Sequence, residues 1–416
     1  MNARERFVEV MKNFNTGVPS LKWEFGYWGG TLNSWYKSGL NEVKKAPIPH
    51  TYTSASSSIY TKSWICDNKF VKPGEYPEGF VAMAGGLYWP TQGFALDHDV
   101  KHRFGMDETQ QLVDLNLMFY PTFEPETLEE DDTSLKYRDL DGVVRLFLKE
   151  SATMATGWVY PIRDWETWNT LKAERMSLDN VRQRLPADWD QKVKEYKNRT
   201  YPLAVGGYPL GFFGTLAHLI GYDNLFYMYY DEPELVHDIL ATFTDMWIAV
   251  FSEVLVEVEI DHVQIWEDIS FGKGSMLSEA MMREFLLPYY KKMTSFFRGC
   301  GVDLIFVDTD GYCMDIIPFF IEAGATGMYP FETDCGMDIV KVRKAFPELA
   351  IMGGISKSSL GLGHDKIDEI LLPVKEVLKT GGYIPFCDHF VPPDVKFEDF
   401  AYYRDSLNNM IDRVGR

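Results

Sequence analysis

HVQIWEDI, residues 262–269, and VDLIFVDTD, residues 302–310, each run apolar and β-branched for the length of a strand and then turn acidic. Three later stretches repeat the form: ATGMYPFE (325–332), ELAIMGGI (348–355) and GYIPFCDH (382–389), with helical periodicity between them. Strands alternating with helices predict a parallel sheet, because a parallel partner needs a helix-length crossover. Earlier candidate strands lie at 21–28 (LKWEFGYW) and 200–207 (TYPLAVGG), and no GxGxxG follows an early strand as a Rossmann sheet would require. The expected fold is a (β/α)8 TIM-type barrel. The most legible helix precedes the first of these strands. In DEPELVHDILATFTDMWIAVF (231–251), Pro233 sits where a first-turn proline is tolerated, and Leu235, Ile239, Leu240, Phe243, Trp247 and Val250 trace one face.

Residues 124–150 (EPETLEEDDTSLKYRDLDGVVRLFLKE) change character: the Asp141-Gly142 turn followed by VVRLFLKE reads as a β-hairpin set into something larger. Residues 165–200 read as exposed, charge-rich helices. Together they predict an insertion at about 115–200 in the N-terminal half of one domain spanning 1–416, and neither suggests chemistry.

At 416 residues, 46% hydrophobic and 15% aromatic, the chain can bury a large core. A formal net charge of −20 repels phosphate backbones and anionic lipid, so neither nucleic acid nor membrane is an expected partner. The N-terminus MNARERFVEVMKNF is charged and lacks the apolar centre of a signal peptide, and no run of eighteen apolar residues occurs, so a cytoplasmic location is expected. The cysteines at 66, 300, 313, 335 and 387 form no CxxC and make an odd count, which predicts free thiols.

Barrel enzymes build their sites at the carboxyl ends of the strands. Here the first late strand ends in Glu267 and Asp268, the second in Asp308 and Asp310, and the third in Glu332; the fourth leads to Ser356 and Lys357, and the last to Cys387, Asp388 and His389. An acid after a strand commonly caps the next helix, so each taken alone says little. Their convergence from five strands predicts a functional site. Trp23, Phe25, Tyr27, Trp28 and Trp35 cluster early, and Tyr208 and Tyr329 sit near strand ends, as rings that could stack on a flat ligand.

The chain resembles the uroporphyrinogen decarboxylase superfamily, in particular its cobamide-dependent methyltransferase branch. The resemblance is carried by FGTLAHLIGYDNLFYMYYDEPELV (213–236), WEDISFGKGSMLSEAMMREFLLPYYKKM (266–293), VDTDGYCMDIIPFFIEAGATGMYPFE (307–332), IMGGISK (351–357) and DHFVPPDVKFEDFAYYRDSL (388–407). It implies a (β/α)8 barrel that moves a methyl group between a small methylated substrate and the corrinoid of a separate protein, as in anaerobic O-demethylation, and it leaves a homodimer open. The coenzyme M members of the branch hold zinc through a His-x-Cys pair and a later Cys before a Pro-Pro. Here the first position reads Asp308-Thr309-Asp310-Gly311, and counting back from Pro392-Pro393 the second falls on His389. The resemblance therefore implies a harder zinc site with Asp310, Glu332 and His389 as ligands and Asp308, Asp388 and Cys387 as substitutes or support. Such a metal favours an oxygen-bound methyl donor, with Glu267, Asp268 and Asp308 as catalytic carboxyls and Lys357, Tyr208, Tyr329 and Trp28 as substrate contacts. Two other readings stand beside it: a decarboxylase of a polycarboxylate, disfavoured because the early strand GYWGGTLNSWY carries no arginine, and a non-catalytic corrinoid- or small-molecule-binding barrel.

Overall fold

A computed structural model describes residues 1–41, 74, 81–83, 98–148 and 155–414. Its centre is a sheet of seven strands in chain order: β1 (Gln111–Leu112), β2 (Leu203–Gly206), β3 (His262–Trp266), β4 (Ile305–Thr309), β5 (Gly327–Pro330), β6 (Ala350–Met352) and β7 (Tyr383–Ile384). Every neighbouring pair is parallel. The late strands thus form where the apolar runs predict them, each trimmed at its ends. β1 was not foreseen, because two residues carry no readable alternation.

Side chains alternate across this sheet. Leu203, Val205, Val263, Ile265, Ile305 and Val307 point outward into a core shared with the helices, including Pro233–Glu257. Phe306, Tyr329, Ala350, Met352, Ile384 and Phe386 point inward to a second core, filled from the N-terminus by Phe7, Val10, Met11, Trp23 and Phe25. The sheet is therefore a curled half-barrel packed on both faces, as parallel sheets require.

The closed eight-stranded ring is not seen among the described residues. Of the expected strand at 21–28, only Gly26–Trp28 is extended in a ladder, and it pairs antiparallel with Val81–Met83. A single parallel bridge joins Tyr27 to Val391. Residues 20–25 still span the gap: Ser20 Oγ donates to Tyr383 O at 2.6 Å on one edge, and Trp23 Nε1 to Glu108 O at 3.1 Å on the other. A ladder is pre-empted by Glu24, whose Oε1 accepts the N–H of Phe25 at 3.0 Å and of Cys387 at 2.7 Å. Its Oε2 accepts from Tyr403 at 3.0 Å and Arg404 at 3.3 Å, and Glu24 and Arg404 are both fully buried.

The expected hairpin is part of a larger unit, a four-stranded antiparallel sheet of Glu126–Glu130, Ser134–Arg138, Val144–Leu148 and Thr156–Val159. The first of these strands escaped notice because all five of its residues are exposed, which leaves no apolar alternation. The helices Trp165–Arg175 and Trp189–Lys197 are less exposed than expected: they bury Trp168, Leu171, Trp189, Val193 and Tyr196. Their indoles donate to Asp238 (Trp168, 2.6 Å) and Glu257 (Trp189, 2.9 Å) on the long helix. That helix, Pro233–Glu257, buries the whole foreseen face. Among the described helices it alone is long and apolar enough to cross a membrane, and that apolar face is packed inside the fold. Cys300, Cys313, Cys335 and Cys387 are free thiols, while Cys66 lies outside the described residues.

Removing the Glu24 carboxylate strands a buried guanidinium. Glu24→Ala should cost about 3–5 kcal/mol in urea unfolding. Glu129→Ala, which breaks a pair with Lys136 on the exposed insert sheet, should cost under about 1 kcal/mol. Equal effects would show that Glu24 is not the fastening described.

Candidate active site at the carboxyl ends of the strands

The polar residues that end the strands divide into two sets according to what they already hold. Glu267, directly after β3, is fully buried at the start of the helix Phe212–Ile220. Its carboxylate accepts the N–H groups of Phe212 (2.9 Å), Phe213 (2.7 Å) and Gly214 (3.0 Å), and the hydroxyl of Tyr290. These are the donors a helix leaves unpaired at its first turn. Burial raises its pKa against those hydrogen bonds, yet no lone pair is left for a substrate.

Glu332, Lys357 and Asp388 form a second committed group. Lys357 Nζ lies 3.0 Å from Glu332 and 3.6 Å from Asp388. Glu332 Oε2 also accepts Gly311 N–H at 2.9 Å, and Asp388 accepts the N–H and hydroxyl of Thr333, both at 2.7 Å. Burial opposes the ammonium, but the two carboxylates outweigh it and raise the Lys357 pKa. Its charge is already matched, which leaves little for a substrate carboxylate. Cys387 shares the outward parity of Tyr383, is buried in the outer core, and has its thiol pKa pushed well up by burial.

The second set is Asp268, Asp310 and His389, each only half-buried. Asp268 has φ of 46°, a left-handed conformation that costs a non-glycine residue about 1–3 kcal/mol. In that pose its carboxylate lies near the Trp266 side chain and the Asp310 backbone. Burial, followed by the charge of Asp310, raises its pKa to about 8, with His389 and the hydrogen bonds pulling the other way. His389 Nε2 is 3.4 Å from Asp310 Oδ2, and its ring stacks on Phe25 at 5.0 Å. Burial works against the imidazolium, but the hydrogen bond and charge of Asp310 prevail and raise its pKa. A proton-bearing carboxyl thus stands beside a carboxylate–imidazole pair.

Asp308 and Tyr329 are neighbours in register on the inner face of β4 and β5, fully buried beneath this cluster. Trp28 packs edge-on against Phe390 at 5.3 Å. Tyr208, just beyond β2, meets Trp266 edge-on at 5.0 Å and places its hydroxyl 2.8 Å from His218 Nε2. His218, Asp141 and Arg145 join it in a network the sequence did not reveal. Asp141 read as a turn residue, and His218 was assigned no role.

The implied zinc ligands do not converge. Asp310 and His389 approach each other, but Glu332 is drawn off by Lys357 and Gly311. Among the described residues no three His, Cys, Asp or Glu side chains are placed to share one ion.

The uroporphyrinogen decarboxylase family model matches residues 165–410, more than half of the chain. The chain belongs to this family. Every strand-end residue considered above falls within the matched stretch, and the four-stranded insert falls before it. No curated protein matches the chain. Among solved structures, the apo 3-keto-D-glucoside 4-epimerase YcjR from E. coli is similar over 60% of this chain and 95% of that one, with 11% identity and a TM-score of 0.34. That likeness is too loose to bear on fold or function. As a member of the uroporphyrinogen decarboxylase family the chain is assigned to decarboxylases or related methyltransferases.

Asp268 yields a prediction with a definite sign. Its raised pKa means that the folded chain keeps a proton that the unfolded chain releases, so stability falls as pH rises from the ordinary carboxyl value to about 8. Asp268→Asn removes that penalty. Its advantage in Tm over the parent should be small near pH 4, grow to about pH 8 and then level off; a pH-independent difference would show that Asp268 is ionised in both states.

Proposed function

We propose that this chain transfers a methyl group from a small O-methylated donor, an aryl methyl ether by preference, to the cob(I)amide of a separate corrinoid protein. The observation that carries the reading is the Asp268–Asp310–His389 cluster, set beside Trp266 and Tyr208. An alkyl aryl ether is a poor methyl donor because its leaving group is basic. Asp268 holds a proton at neutral pH and can give it to the departing oxygen as the methyl–oxygen bond breaks. His389, its Nε2 3.4 Å from Asp310 Oδ2, can return a proton to the site. Half-buried aromatic rings orient the donor. The cobalt of the partner supplies the nucleophile and carries the methyl group away. With Glu332 held by Lys357, no step is assigned to zinc.

Charge disfavours the decarboxylase alternative. A polycarboxylate needs cations to meet it, and among the described residues two cations buried near this end are matched already: Arg145 by Asp139 and Asp141, Lys357 by Glu332 and Asp388. A non-catalytic binding barrel would have no use for a strained, proton-bearing carboxyl at its mouth.

The test offers methoxyaromatics, methanol, methylamines and methyl thiols to the purified chain with cob(I)alamin and follows conversion to methylcob(III)alamin. Methoxyaromatics should react best, and Asp268→Asn should lower kcat by about 100-fold or more. Preferential turnover of methyl thiols, an unchanged rate in Asp268→Asn, or turnover of a carboxylic acid without any corrinoid would overturn the proposal.

A further inference from the structure

The four-stranded insert sheet has two edges, and they are finished in opposite ways. Glu126–Glu130 forms one and Thr156–Val159 the other. The first is guarded by charge: residues 124–132 hold six carboxylates and no cation, and all five residues of the strand are exposed. Charge of this kind discourages an edge from pairing with another chain. The second edge is bare of charge. Its strand reads TGWV, Trp158 is 60% exposed and Val159 46%, and residues 155–165 balance one cation, Arg163, with one acid, Asp164.

Among the described residues no strand lies beyond Thr156–Val159, and no backbone-to-backbone hydrogen bond ties it to anything but Val144–Leu148. The strand is nonetheless held in place from the residues that follow it. Tyr160 turns back to give its hydroxyl to Gly157 O at 3.3 Å, and its ring lies where a side chain on Gly221 would stand. Ile162 N–H then donates to Leu219 O at 3.2 Å. Across the sheet, Lys136 Nζ stands over the Trp158 ring at 5.6 Å. A fixed, uncharged edge flanked by an exposed Trp and Val is a template for an added strand.

Charge decides which strand is added. At a net charge of −20, two copies of the chain repel wherever their acidic surfaces meet. A basic partner would find its complement at the Glu126–Glu130 edge, whereas Thr156–Val159 sets no like charge against a second copy. About a two-fold axis a strand meets its own copy antiparallel, so the same four residues supply both sides of the contact. We infer that two copies of this chain pair through Thr156–Val159 and join their insert sheets into one continuous sheet. The acidic edges then end the assembly, because pairing Glu126–Glu130 with itself would oppose like charges. This contact belongs to the insert, which ends before the family-matched stretch 165–410, and it does not depend on the proposed reaction.

Sedimentation velocity of the full chain over a micromolar concentration series tests it. The parent should run as a species of twice the 47.9 kDa chain mass. Val159→Lys sets two ammonium groups near each other across the axis and should raise the dimer dissociation constant about tenfold or more, and Trp158→Ala should raise it as well. Leu128→Lys, on the acidic edge, should leave it unchanged. Added salt should tighten the dimer by screening two like-charged bodies. Hydrogen exchange separates edge pairing from stacking of sheet faces: amides within 156–159 should be protected in the parent and exchange faster in Val159→Lys at an unchanged Tm. A parent that stays monomeric overturns the inference, as does a dimer equally tight in Val159→Lys and Trp158→Ala. Loss of the dimer in Leu128→Lys would place the contact on the other edge, a dimer without protection at 156–159 would place it off the edge, and a dimer weakened by salt would be held by ion pairs; each of these refutes the pairing.

Discussion

A buried carboxylate on residue 24 ties the two ends of the chain together. Glu24 and Arg404, 380 residues apart, are both inaccessible to solvent, so each charge is tolerable only while the other is in place. Through Oε1 the same side chain holds the backbone of Cys387. That one fastening locates the segment after β7, and with it His389, against the N-terminal strand whose Phe25 ring the imidazole stacks upon. It also explains why residues 20–25 do not form a regular strand of the sheet. Backbone donors that would have made a ladder are taken by a side chain.

The strand ends are crowded with charge, and most of it is structural. Glu267 completes a helix, Asp388 and Glu332 share Lys357, and the outward-facing Cys387 is core. What is left half-open is small: a strained Asp268 and the Asp310–His389 pair. This division has a physical basis, since a buried charge must first be satisfied before it can be spared for a ligand. The chemical character of the mouth comes from the groups that remain unmatched, and they are acidic and aromatic rather than cationic.

The insert changes the picture of a family scaffold with decoration. Its sheet is exposed along one outer strand, yet the hairpin beneath it carries a buried arginine and two buried carboxylates to the helix after β2. A polar cluster placed between an insertion and the rest of the fold is costly unless every partner is met. Here Arg145, Asp139 and Asp141 satisfy one another within the hairpin, and His218 crosses the boundary to meet Asp141 and Arg145. The insertion and the helix after β2 therefore share one buried polar network.

Periodicity and punctuation were enough to read the late strands, the face of the helix Pro233–Glu257, the Asp141-Gly142 turn and the polar residues that follow the strands. These are local properties: a β-branched run or a 3.6-residue repeat acts over a few residues and survives any arrangement of the rest. Which acid caps a helix, which one pairs with a lysine and which one keeps a proton was decided only in the folded chain. Glu267 and Asp268 are adjacent in sequence and opposite in role, because one meets the start of a helix some fifty residues earlier and the other meets Asp310. Asp141 gained a partner outside the insert only when His218, 77 residues on, was brought against it. A carboxyl's duty is set by the donors and charges within a few ångströms of it, and in this protein those neighbours come from distant parts of the chain.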